Sequence, residues 1–121
     1  MKYLKNLVTY FPVILFIILS CSDAPEPVQN ALNQIIYQNP PSLMDQYKVI
    51  EENIAVEMAM DGIGRDVRKL LITNNQLREF FKSKNVLKRN DIVEIMVRSL
   101  HRKLNNRRIK LNEQIEQINN P

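Results

Sequence analysis

A single histidine limits the acid–base chemistry open to this chain of 121 residues. His101 is the one imidazole that could act as a general base near neutral pH. Ser99, two residues away, faces elsewhere on a helix, whereas Glu94, seven residues back, lies on nearly the same side and could orient the ring. The spacing sets His101 at the border of an apolar stripe, which predicts a histidine making one structural hydrogen bond. An enzyme, or an accessory to one, using His101 as base is the alternative. No Gly-x-Ser-x-Gly elbow occurs. One His and one Cys exclude a Cys/His zinc site and a disulfide scaffold. Glu57 and Asp61 are spaced i, i+4 and could pair as carboxylates; Arg65, four further on, makes a Glu57–Asp61–Arg65 ladder the simpler account if the helix runs through Gly62. Asp61-Gly62-Ile63-Gly64 lacks the alternating oxygens of a calcium loop and the Lys-Ser/Thr of a phosphate-binding loop. No catalytic residue, metal or cofactor is therefore expected.

Charge is the stronger signal. The chain carries 17 basic and 13 acidic side chains, a formal net charge of +4. Residues 23 to 61 hold a net of −6, residues 62 to 112 a net of +10, and residues 113 to 121 a net of −2. Arg98, Arg102, Lys103, Arg107, Arg108 and Lys110 cluster on one helix face and the turn after it. Such a cluster could neutralise phosphates of nucleic acid, hold anionic lipid headgroups, dock an acidic protein, or stand as a solvated face partly complemented by the acids of residues 51 to 61.

Cys21 is the only thiol. Before it, Lys2 and Lys5 form a positive start, and Leu7 to Leu19 is apolar apart from Thr9, Tyr10 and Pro12. Thirteen helical residues rise about 20 Å, short of the roughly 30 Å hydrocarbon core, so the run predicts a signal peptide over 1–20 rather than a spanning helix. Ile18-Leu19-Ser20-Cys21 resembles the lipobox of bacterial lipoproteins. The resemblance implies cleavage before Cys21, a diacylglyceryl group on its sulfur, and acylation of the new amine. Ser22 at the next position favours the outer over the inner membrane. Ordinary cleavage after Ala24, which would release a soluble secreted effector, is the alternative, and an uncleaved anchor ranks last. An exported chain argues against nucleic acid as the partner.

The mature chain reads as a tether over 21–27 followed by one helical domain over 28–121. Val28, Ala31, Leu32, Ile35 and Ile36 follow helical spacing, and Asn39-Pro40-Pro41 stops that helix. Ser42, with Asp45 three residues on, is the expected N-cap of a second helix. Two stripes along it, Leu43-Tyr47-Ile50-Ile54-Met58 and Val49-Val56-Met60-Ile63-Val67-Leu71, predict a central helix contacted from both sides, broken or kinked near 62–64. Asn74 or Asn75 caps a third helix bearing Leu77, Phe80 and Phe81. Asn90 or Asp91 caps a fourth, with Val93, Met96, Val97, Leu100 and Leu104 on one face and Arg98 and Arg102 opposite. Leu111, Ile115 and Ile118 mark a fifth. The expected fold class is all-α, a small bundle of about five helices.

The C-terminal half also resembles a small domain of unknown function found in exported bacterial proteins. The likeness rests on Ile63-Gly64-Arg65-Asp66-Val67-Arg68, Leu77 with Phe80-Phe81, Asn90-Asp91-Ile92, His101-Arg102-Lys103-Leu104-Asn105, Ile109-Lys110-Leu111 and Gln114-Ile115, across residues 63 to 115. The chain departs from it in having no Trp, in Lys69 where Asn is usual, and in Lys88-Arg89 where His-Pro is usual. The resemblance implies a helical domain in an exported setting, and no activity. Arg68 stands at the family's Arg, which suggests a buried ion pair with Asp91.

Together these readings predict a membrane-anchored, non-enzymatic lipoprotein domain of the cell envelope. Its expected partners are the membrane through Cys21, and an acidic envelope protein or anionic headgroups through the basic residues 98–110.

Overall fold

The computed structural model describes residues 24–121. Among them the fold is all-α, and seven helices replace the expected five: α1 (Glu26–Gln38), α2 (Pro41–Lys48), α3 (Glu52–Ala59), α4 (Ile63–Thr73), α5 (Asn75–Ser83), α6 (Arg89–Leu104) and α7 (Leu111–Asn119).

The first helix starts inside the span expected to be tether. Proline is tolerated in a first helical turn, where its missing N–H has no partner anyway, and Pro27 sits there. Ala24 already packs against the core. Val28, Ala31, Leu32 and Ile35 turn inward. Asn39 ends the helix: its Nδ2 donates to the Ile35 carbonyl at 2.7 Å and to Asp66 Oδ2 at 3.0 Å, joining this end of α1 to α4.

Residues 43 to 71 are three helices rather than one kinked one. α2 takes Pro40 as its N-cap, not Ser42, because Pro41 has the backbone angle of a first helical residue. The chain then breaks at 49–51, where Glu51 caps α3 by accepting from the N–H groups of Asn53 and Ile54 at 3.1 and 3.2 Å. The expected break at 62–64 is present: α3 ends at Ala59 and α4 starts at Ile63. This division undoes the double-striped central helix. Val56, Ile63, Val67 and Leu71 are buried, but Ile54 and Met58 are 54% and 63% exposed and Val49 is 77% exposed.

The central element is α6. It packs on α1, α2, α3, α4 and α7. It starts at Arg89 with Lys88 as N-cap, two residues before Asn90 and three before Asp91, the expected caps, and leaves Asp91 in the first turn, where a carboxylate suits the helix dipole. Its buried face is wide, from Ile92 to His101. The Asn74 cap on α5 is as expected, its Oδ1 accepting from Leu77 N at 3.0 Å. The buried side chains form one cluster running from Val28 to Ile115, so residues 24–121 close a core of their own.

Gly64 lets α4 reach that core. A Cβ there would lie 3.0 Å from the Ala59 carbonyl oxygen and 3.1 Å from Val93 Cγ1. The oxygen is backbone and cannot swing aside. Gly64→Ala is expected to lower stability by about 2 kcal/mol by overpacking, measured as a shift in the urea midpoint. An unchanged midpoint would show that α4 has slack against α6.

Candidate functional site

The six basic residues of the 98–110 region do not form one surface. Arg98 and Arg102, one turn apart on α6, both turn onto Glu52 at the start of α3. Arg98 Nη1 donates to Glu52 Oε2 at 2.8 Å, while Arg102 donates from Nε to Oε1 at 2.8 Å and from Nη2 to Oε2 at 3.1 Å. Arg98 Nη1 also donates to Asn53 Oδ1 at 2.8 Å. The Glu52 side chain is only 13% exposed. The Arg102 hydrogen bond, reinforced by Arg98, holds its carboxyl at about 2, well below its usual range and against the opposing effect of burial. Glu52 is thus an acid of residues 51–61 that complements the basic face, meeting Arg98, Arg102 and Arg107.

Arg102 reaches further. Its Nη1 donates to the Ile109 carbonyl at 2.7 Å, and Gln114 Nε2 donates to the same oxygen at 2.9 Å. Gln114 Nε2 also meets the buried Ser99 Oγ at 3.1 Å. One carbonyl therefore ties α3, α6, α7 and the intervening turn together. Lys103 is drawn in another direction: its Nζ donates to Gln29 Oε1 on α1 at 2.7 Å, and partial burial lowers its pKa.

What faces outward is the turn between α6 and α7. Arg107, Arg108 and Lys110 are exposed there, and Arg107 stands 3.7 Å from Glu52 Oε1 with its own side chain 59% exposed. Arg102 and these three are the described residues that line a hollow of about 310 Å³. Asn106 and Lys110 adopt the left-handed backbone region, φ 55° and 54°, which folds the turn back so that Lys110 becomes the N-cap of α7. A smaller hollow around that helix start is lined by Arg108, Lys110, Leu111, Asn112 and Glu113.

His101 is enclosed. It is 3% exposed, and its Nε2 lies 2.7 Å from the Ile50 carbonyl oxygen, which fixes that nitrogen as the donor. Its Nδ1 is buried without a hydrogen-bond partner among the described residues. The ring meets Tyr47 edge-on at 5.3 Å, and the Tyr47 hydroxyl donates to the Val97 carbonyl at 2.8 Å. Burial pushes the Tyr47 hydroxyl pKa up. Ser99 spends its hydroxyl on the Ile95 carbonyl at 2.6 Å, and Glu94 is exposed. These contacts bind α2 and the 49–51 break to α6, and neither ring nitrogen is offered to a substrate.

Three other expected constellations are not assembled. Arg68 Nη1 donates to the Met60 carbonyl at 2.9 Å, and among the described residues no ion pair joins it to Asp91; both are only half-buried. The Glu57–Asp61–Arg65 ladder fails because the helix ends at Ala59, and Arg65 Nε donates instead to the Asp61 backbone oxygen at 2.7 Å. No group of three or more His, Cys, Asp or Glu poised to hold a metal occurs among the described residues.

One feature had no sequence signal. A groove of about 460 Å³ runs between α2 and the α3–α4 corner, with Leu43, Ile50, Met58 and Ile63 on its walls and Arg65 and Lys69 at its rim. It reaches Asn39, at the opposite end of α1 from the chain's entry.

The signal segment and Cys21 lie outside the described residues. No helix among the described residues is long and apolar enough to cross a membrane. Comparison with family models, with curated proteins and with solved structures finds no match to this chain.

Proposed function

We propose that the protein is an acyl-anchored lipoprotein of the cell envelope whose folded part is a non-enzymatic binding module carried at the surface of the outer membrane. The reading is supported first by sequence chemistry: a positive start, a short apolar run and the Ile18-Leu19-Ser20-Cys21 motif around the only thiol in the chain. The observation that carries it furthest is the abrupt start of the fold. Ala24 is already packed on the core and α1 begins at Glu26. From Cys21 to Ala24 is three residues, which can span at most about 11 Å. A domain joined so closely to an acylated residue sits on its membrane. The basic turn and the enclosed His101 point to contact, not catalysis, as its work.

Intact mass of the mature protein tests the reading. The expected product begins at Cys21 and carries a diacylglyceryl group and a third acyl chain, and Cys21→Ser moves the protein from the membrane fraction to the soluble fraction. An unmodified chain starting at Pro25 would make it a secreted soluble protein. An intact 121-residue chain with an unmodified thiol in the cytosol would remove the envelope setting altogether.

A further inference from the structure

We propose that the groove between α2 and the α3–α4 corner binds a fatty acid, a single-chain amphiphile whose tail lies on the apolar walls and whose carboxylate meets Arg65 and Lys69. This site is separate from the turn between α6 and α7 and independent of the anchor at Cys21.

Three observations converge. The first is the chemistry of the walls. Leu43, Ile50, Met58 and Ile63 make the groove of about 460 Å³ mainly apolar, and its size is in the range that holds small organic ligands. Leu43 and Met58 are 40% and 63% exposed, and Ile54, one turn before Met58 on α3, is 54% exposed. Folding thus leaves apolar surface in water along the groove, and an apolar tail would cover it. α2 and α3 have eight residues each, so the walls run for about 12 Å, the length of an extended chain of ten carbons. Met58, with its flexible thioether, can adapt to such a chain.

The second is rigidity. The Tyr47 hydroxyl donates to the Val97 carbonyl at 2.8 Å and His101 Nε2 to the Ile50 carbonyl at 2.7 Å, which ties α2 and the break after it to α6. Asn39 joins α1 to α4 through Asp66 at 3.0 Å, and Arg68 Nη1 reaches the Met60 carbonyl at 2.9 Å across the α3–α4 corner. The walls are therefore held apart before a ligand arrives, and little ordering is left for binding to oppose.

The third is charge. Arg65 and Lys69 sit one turn apart on α4, and both line the groove. Arg65 gives its Nε to the Asp61 backbone oxygen at 2.7 Å, and the Lys69 amine has no hydrogen bond or ion pair among the described residues. Asp66 also lines the groove, but its Oδ2 already accepts from Asn39. Two cations beside one engaged carboxylate favour an anionic head over a cationic one. The two oxygens of a carboxylate can accept from a guanidinium and an ammonium together.

The test uses residues 21–121 with Cys21→Ser, which contain the whole described core. Decanoate, decanol and decyltrimethylammonium are each titrated calorimetrically below the concentration at which they aggregate. One decanoate per chain is expected, bound about tenfold more tightly than either of the others. Each fully buried methylene is worth about fourfold, so octanoate, two methylenes shorter in a half-open groove, should bind about fourfold more weakly. Arg65→Gln/Lys69→Gln should lower the affinity for decanoate about tenfold and leave that for decanol unchanged. Leu43→Gln/Met58→Gln should weaken both ligands alike. The controls Lys82→Gln/Lys88→Gln and Leu87→Gln, at exposed positions outside the described lining, should leave decanoate binding unchanged.

Absence of saturable decanoate binding would overturn the proposal. So would equal affinity for decanoate and decyltrimethylammonium. A loss in Lys82→Gln/Lys88→Gln equal to that in Arg65→Gln/Lys69→Gln would reduce the effect to net charge and overturn it too. Dimerisation that Leu43→Gln/Met58→Gln abolishes would give the groove to a second copy of this chain instead. The ligand comparisons on the parent chain need no variant, and thermal midpoints equal to the parent's exclude unfolding in the variants. Because this chain carries no lipid, the outcome is independent of the mass measurement that tests acylation of Cys21.

Discussion

Glu52→Gln is expected to cost about 3 kcal/mol of stability at pH 7, the largest effect of any single charge change in the described fold. The glutamine fits the same space and accepts one hydrogen bond, but it leaves Arg98 and Arg102, 21% and 17% exposed, without a counter-charge. The same magnitude follows from linkage. The carboxyl falls from 4.5 to about 2 on folding. A depressed carboxylate contributes stability that is fully present above its unfolded value and is lost as pH falls through its folded value. The contribution of Glu52 is therefore complete above about pH 5, declines between about pH 4.5 and 2, and amounts to roughly 3 kcal/mol. Urea denaturation of the two proteins across that range should give curves that are well apart at pH 7 and converge at the acid end. Parallel curves would mean that the pair of arginines stabilises nothing.

His101→Ala comes next, also at about 3 kcal/mol, combining the lost ring packing against Tyr47 with an Ile50 carbonyl stripped of its donor. The damage should be local. Hydrogen exchange ought to speed up over residues 47–54, where α2 gives way to α3, before it does so in α5. His101→Gln, which keeps an N–H donor, should regain part of the loss. A catalytic histidine would instead tolerate alanine in folding and fail in activity, so a variant as stable as the parent would refute the structural role.

The difference between these two side chains and their neighbours shows where sequence periodicity stops being informative. Helical spacing identified the faces of α1, α5 and α7 because each turns a single stripe toward one neighbourhood. The two glycines marked the break near 62–64, and residue type offered Asn74 or Asn75 as a cap, of which Asn74 is the one used, since both signals are local. The break at 49–51 escaped because it contains no Gly or Pro and is capped by a glutamate, an uncommon residue for that task. Leu43, Ile54 and Met58 were assigned to the core by spacing alone, yet a short helix that turns between two breaks presents only part of its apolar surface inward. Arg98 and Arg108 have the same chemistry and sit on one basic run. What separates them is Glu52, 46 residues from Arg98 in the chain. The burial of Ser99 likewise depends on Gln114, and that of His101 on Ile50, 51 residues away. Long-range polar partners of this kind leave no trace in a hydrophobic pattern.

Arg102 has a last consequence. Its guanidinium is fixed on two sides, by a carboxylate and by a main-chain oxygen, before any ligand arrives. Its rotational freedom has been surrendered during folding, so none remains to be lost on contact.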